Sequence, residues 1–128
     1  EEFREIAAKI SAEFEKISGR KYGLFEEYKL DDAEIAIVIM NSAAGTSKDA
    51  IDNLREKGIK AGLLKLRVFR PFPADEIREA LKNVKALAVM DRSEIFSSQG
   101  GPVYPEVMAA LYPLNEKPLA MLVDIYLY

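Results

Sequence analysis

Nearly uninterrupted apolar runs recur along this chain at residues 33–40 (AEIAIVIM), 59–69 (IKAGLLKLRVF), 85–92 (KALAVMDR) and 119–127 (LAMLVDIYL). A strand with one solvated face alternates apolar and polar residues, whereas a strand covered on both faces does not. Between these runs lie segments whose apolar residues fall at helical spacing. Buried strands alternating with helices of about ten residues build an open, mostly parallel sheet with helices on both sides. The expected fold class is therefore α/β.

The rest of the chain fits that frame. Phe3, Ile6, Ala7, Ile10, Phe14 and Ile17 share one helical face, and Gly19 ends that helix. Residues 22–30 (YGLFEEYKL) are short, mixed and aromatic, as suits an edge strand. A helix is expected from about Gly45 to Lys57, stopped by Gly58. After the corner RPFPADE comes another, with Asp75 and Glu76 in its first turn, Lys82 in its last, and Ile77, Ala80, Leu81 and Val84 as its buried stripe. SEIFSSQGG reads as a loop, and residues 102–112 as a short helix that tolerates Pro105 in its first turn. The order is α-β-β-α-β-α-β-α-β in one domain over 1–128, with residues 1–20 a leading helix and 21–128 the α/β body. The chain opens at Glu1 inside a helical pattern without an initiator Met, and so reads as a piece of something longer.

Composition narrows the chemistry. There is no cysteine and no histidine among the 128 residues. Thiolate nucleophiles, cysteine-ligated clusters and the commonest general base are thereby excluded. The net charge of −3 points to neither nucleic acid nor a polybasic membrane contact. No signal or transit peptide is evident, and a cytoplasmic location is expected.

Ligands on such sheets collect at the carboxyl ends of the strands, here residues 41–46, 70–73 and 91–101. The corner IVIMNSAAGTSKDAI has the layout of a phosphate loop but carries only Gly45, with no Gly-Lys-Ser/Thr. A capped turn accounts for it: Ser42, Ala43 and Ala44 keep it compact, and Thr46 is the expected N-cap with Asp49 completing a capping box. Lys65 and Arg67 alternate with apolar residues on a central-looking strand and need partners. Glu26 and Glu27 on the first strand are the candidates for a structural ion pair, with a phosphate site as the alternative. In DRSEIFSSQGG, Ser93 has no base beside it, so nucleophilic catalysis is not expected, and Gly100 and Gly101 supply unusual backbone angles. The anion candidates on this rim are Ser42, Gly45, Thr46, Arg92, Ser93, Gly100 and Gly101. No catalytic and no metal residues are assigned.

LLKLRVFRPFP, DRS and GGP, in this order and spacing, make residues 22–112 closely resemble the alpha subunit of pyruvate:ferredoxin oxidoreductase and its 2-oxoacid relatives. The matching region is their transketolase C-terminal-like domain, or domain II. The resemblance implies a three-layer α/β/α sandwich with a mixed five-stranded sheet in the order 1-3-2-4-5, the first strand antiparallel. It further implies a parent enzyme that oxidatively decarboxylates a 2-oxoacid to an acyl-CoA and reduces ferredoxin. That enzyme would use thiamine diphosphate, Mg2+ and iron–sulfur clusters, with CoA as co-substrate, none of them held by this chain. The implied partners are the pyrimidine-binding domain of the same subunit and the other subunits, with a homodimer as a further possibility. The sequence departs from the family at Asn41, where relatives usually have Gly, and at EIFSSQ. The resemblance also leads one to expect the last strand, VDIYLY here, to run into a glycine-rich GLGGRD segment.

Two functions follow. The first is a noncatalytic assembly domain of that alpha subunit, inactive in isolation. The second is a small-molecule binding domain that holds a phosphate or the CoA diphosphate at the strand-end rim.

Overall fold

The computed structural model describes residues 2–96 and 100–124. Helix α1 (Glu2–Ser18) leads into β1 (Phe25–Tyr28) and β2 (Ile35–Met40), followed by α2 (Ala43–Glu56), β3 (Ala61–Leu66), α3 (Ala74–Leu81), β4 (Ala86–Asp91), α4 (Val103–Leu111) and β5 (Leu119–Asp124). The strands lie in the order β1-β3-β2-β4-β5. β1 runs antiparallel to β3, and the other pairs are parallel. The element order and sheet topology are those expected, and the part of the last run at residues 125–127 lies outside the described residues.

Two cores sandwich the sheet. On one face Val38, Leu64, Leu66, Leu87 and Val89 meet Ile77 and Leu81 of α3 and Val103, Val107 and Leu111 of α4. On the other, Ile39, Ala61 and Leu63 meet Ala44 and Ile51 of α2. The continuous apolar runs are thus explained, since the central strands are packed on both sides.

Two boundaries differ from the sequence reading. β3 stops at Leu66 because the N–H groups of Arg67 and Val68 both turn to the Leu24 carbonyl, at 3.0 and 2.9 Å. α2 starts at Ala43, ahead of the expected Gly45, because Asn41 takes a left-handed conformation (φ 72°) and Ser42 is already helical. Asn is among the few residues that adopt such a φ locally. Thr46 therefore sits inside the helix and is not its N-cap. Ser42 occupies the cap position and makes no side-chain capping bond, so the capping box does not form.

The largest departure is α1. Its apolar stripe does not enter the core: Phe3, Ile6, Ile10, Phe14 and Ile17 are all exposed, and no residue of the helix is buried. Its small and polar side faces the body across a groove of about 530 Å3. The helix is held mainly by Arg4, which donates to Phe72 O at 2.9 Å and to Glu76 Oε1 at 3.2 Å, and by the Phe14–Tyr22 ring contact.

Candidate functional site

The strand-end rim contains a cleft of about 230 Å3 between the ends of β2 and β4, lined mostly by apolar side chains such as Ile39, Met40, Phe69 and Met90. Ligand pockets for drug-sized molecules span roughly 300–1,000 Å3. Arg92 and Ser93 line the cleft, both in exposed positions. Ser42, Gly45, Thr46, Gly100 and Gly101 do not line it. The rim candidates are therefore not gathered into one cradle.

The two helix N-termini at this rim are already engaged. At α2, the N–H groups of Ala44 and Gly45 donate to the carbonyls of Asn41 and Ser42, at 3.3 and 3.2 Å. At α4, Asp91 from the end of β4 accepts from Val103 N at 2.9 Å and Tyr104 N at 3.3 Å through the same Oδ2. The carboxylate is buried, and it supplies the negative charge that a helix N-terminus attracts. The protein has placed its own anion where an external phosphate would bind.

Gly101 makes that arrangement possible. A Cβ at this position would lie 2.2 Å from Asp91 Cγ and 2.4 Å from the Ser93 carbonyl. The DRS and GGP signatures are thus two halves of one contact, in which Asp91 reaches the helix only because residue 101 has no side chain. Gly100 beside it has a φ of 81°, and a Cβ there would strike Leu122 of β5. The sequence reading placed Asp91 at a strand end and left its role open. The legible signal is an acidic residue ending a strand, followed by Gly-Gly-Pro at the next helix start.

The expected ion pair has different membership. Glu26 Oε2 accepts from Arg67 at 2.6 Å, and Glu26 Oε1 accepts from Lys48 of α2. Lys65 lies directly across the β1–β3 ladder from Glu26 but makes no ion pair within 4 Å among the described residues. Glu27 is exposed, lines a groove beside α3 and is not part of the pair. The correction has a simple cause: alternation along β1 sends Glu26 and Glu27 to opposite faces, and α2 overlies only one of them. The Glu26 carboxyl is held below the usual carboxylate range by the Lys48 hydrogen bond first, then by the charges of Lys48, Arg67 and Lys65.

A second polar contact reinforces the seam between β1 and α2. Tyr28 OH donates to the Asp52 carboxylate, 2.9 Å from each oxygen, and Lys29 Nζ donates to Oδ1 at 2.7 Å. Arg55 at the end of α2 donates to Ala61 O, Lys29 O and Asp32. These side chains tie an antiparallel edge strand to a helix. They converge on no open cavity, and they form no nucleophile–base pair.

The donor set does not fit a cysteine-ligated iron–sulfur cluster. The sequence has no cysteine for a cluster. Among the described residues no three His, Asp or Glu side chains converge as metal ligands. No helix among the described residues is long and apolar enough to cross a membrane.

Comparison with known proteins agrees with the architecture. Residues 33–125 match the family described as pyruvate:ferredoxin oxidoreductase core domain II. The pyruvate synthase subunit PorA of Methanothermobacter thermautotrophicus is 48% identical over 87% of this chain, which spans 29% of that protein. The alpha subunit of the NADH-dependent phenylglyoxylate dehydrogenase of Aromatoleum evansii is 46% identical over 86% of the chain and 27% of its own length. Among solved structures, the 2-oxoglutarate:ferredoxin oxidoreductase of Magnetococcus marinus superposes with a TM-score of 0.59 at 17% identity, over 81% of this chain and 17% of that one. The last likeness concerns the fold alone. The chain spans under a third of the length of these relatives. By its match over most of its length, this chain belongs to the pyruvate:ferredoxin oxidoreductase core domain II family.

Proposed function

We propose that this domain is a noncatalytic assembly element of the alpha subunit of a thiamine-diphosphate-dependent 2-oxoacid:ferredoxin oxidoreductase. The parent would convert a 2-oxoacid and CoA to an acyl-CoA and pass electrons to ferredoxin in the cytoplasm. The observation that carries this reading is the outward stripe of α1, where Ile10 is 60% and Ile17 85% exposed. A row of large apolar side chains at helical spacing, turned away from its own core, is the signature of a surface meant to be covered. The family membership supports the parent activity. Relatives named for pyruvate, phenylglyoxylate and ketoisovalerate match at 38–48% identity, which suits a domain that supports the assembly rather than reading the acid.

The test is reconstitution. Ile6→Glu with Ile10→Glu in the full-length subunit is expected to reduce incorporation into the oxidoreductase at least about tenfold, measured by native mass spectrometry. Wild-type incorporation of the double variant would count against the assembly role.

A further inference from the structure

Helix α1 has two unlike sides. The side turned to the body carries small residues, Ala7, Ala8, Ser11 and Ala12, along the groove it shares with Leu24 and Val68. At the pitch of an α-helix the large apolar residues fall on the other side. Each of them stands between 45% and 85% exposed. The body therefore leaves that side free to meet another surface.

The stripe is symmetric about its middle. Phe3, Ile6, Ile10, Phe14 and Ile17 follow one another at steps of 3, 4, 4 and 3 residues, a spacing that reads the same from either end. Two copies of α1 laid antiparallel about Ile10 set Phe3 opposite Ile17, Ile6 opposite Phe14 and Ile10 opposite itself. No large apolar residue of the stripe is left over. Alternating steps of three and four are also what keeps a seam facing a partner helix.

The charges along one border of the stripe obey the same symmetry. Glu2, Lys9, Glu13 and Lys16 run down this border. All four are exposed, and among the described residues none makes an ion pair. The antiparallel arrangement brings Glu2 beside Lys16 of the second copy and Lys9 beside its Glu13, and the two-fold axis repeats both contacts. A parallel arrangement would set Glu2 beside Glu2 and Lys16 beside Lys16, with the two helix dipoles aligned. The opposite border, with Ala7 and Ser11, is uncharged at its centre and leans toward the body.

We infer that the α1 stripe pairs with the α1 stripe of a second copy of this chain, antiparallel across a two-fold axis at Ile10. The inference rests on the assembly reading and names the partner of that surface. Such a contact is isologous, one patch complementary to itself in both shape and charge. It is also short, since 17 residues make about 25 Å of helix. An interface of this size belongs to the weak class, so half-association of the chain is expected near about 100 μM, with monomer prevailing at a few micromolar.

Sedimentation and crosslinking of this chain decide it. The unmodified chain is expected to sediment as a dimer at about 1 mM and as a monomer at about 5 μM. Ile10→Glu changes a side chain that the monomer leaves exposed, and it is expected to weaken association at least about tenfold. A chain that stays monomeric at the higher concentration, or an Ile10→Glu variant that associates as the unmodified chain does, overturns the inference. Orientation is read with single cysteines, because the chain has none of its own. With a short bis-maleimide, Ile10→Cys is expected to link to itself. Phe3→Cys and Ile17→Cys are expected to link to each other, when mixed, at least about tenfold more than either links alone. Phe3→Cys linking to itself as readily as to Ile17→Cys shows a parallel pair and overturns the inference. The assembly reading is tested separately by reconstitution of the full-length subunit. A monomeric chain whose Ile6→Glu, Ile10→Glu subunit still fails to incorporate defeats the second-copy partner and leaves the assembly role standing. A dimeric chain whose double-variant subunit incorporates normally counts against the assembly role alone.

Discussion

A methyl group at residue 101 has nowhere to go. Gly101→Ala would drive Asp91 off the start of α4 and leave Val103 N–H buried without its acceptor. The expected loss is about 2 kcal/mol or more in urea unfolding. Asp91→Asn keeps an acceptor oxygen but loses the charge, so its loss should be smaller, about 1 kcal/mol. If Gly101→Ala proves the milder of the two, the contact between the DRS and GGP signatures is not what orders this corner. Glu26 gives a pH prediction. Its folded carboxyl is more acidic than its unfolded one, chiefly because Lys48 donates to it. Its contribution to stability is complete above the ordinary carboxylate value of about 4.3 and is lost as pH falls through and below that value. Glu26→Gln should therefore flatten the acid side of the stability profile, and the two proteins should converge at low pH. Parallel profiles for the two in a urea series would show that the pair adds nothing.

At the scale of elements, α1 and α3 make a contrast. Both are amphipathic, yet α3 buries Ile77 and Leu81 whereas α1 buries nothing. In this 128-residue chain, Ile10→Glu should leave the unfolding midpoint unchanged, while Ile77→Ala should cost about 2–5 kcal/mol. A large loss from Ile10→Glu would mean that α1 seats its stripe on the body. The corner between β2 and α2 turns on one backbone angle. Asn41 holds a φ of 72°, so Asn41→Ala should destabilise by about 1 kcal/mol, measured by denaturant titration. Much of this level was legible in the sequence. Strand runs, helix stripes and terminating glycines are local patterns set by which faces an element buries. The start of α2 was not legible, because a left-handed Asn and a capped Thr are equally good local solutions and only the path off β2 selects between them.

For the whole molecule, the absence of a convergent cradle among the described residues leads to a flat ligand response. Thiamine diphosphate with magnesium, CoA, acetyl-CoA, ATP, NAD and phosphate are each expected to leave the thermal midpoint unchanged. A ligand present at about a hundredfold its Kd would add about 2.7 kcal/mol and be plainly visible. A saturable, salt-resistant rise with CoA would move the function to the rim around Arg92 and Ser93.

Periodicity and composition alone determined the number, order and type of the elements, the sandwiching of the sheet, and the lack of cysteine and histidine chemistry. These are readable because burial acts on each residue through its own position on a strand or helix. Only the tertiary structure decided which groups meet across long stretches of chain. It brought Lys48 to Glu26 in the position expected of Lys65, and it placed Asp91 on the first N–H groups of a helix that begins at Val103. It also turned the α1 stripe outward. The sequence showed an apolar stripe on one helical face, but such a pattern is the same whether it faces its own core or another chain. The difference lies in where the sheet stops offering an open apolar surface, which no local spacing records.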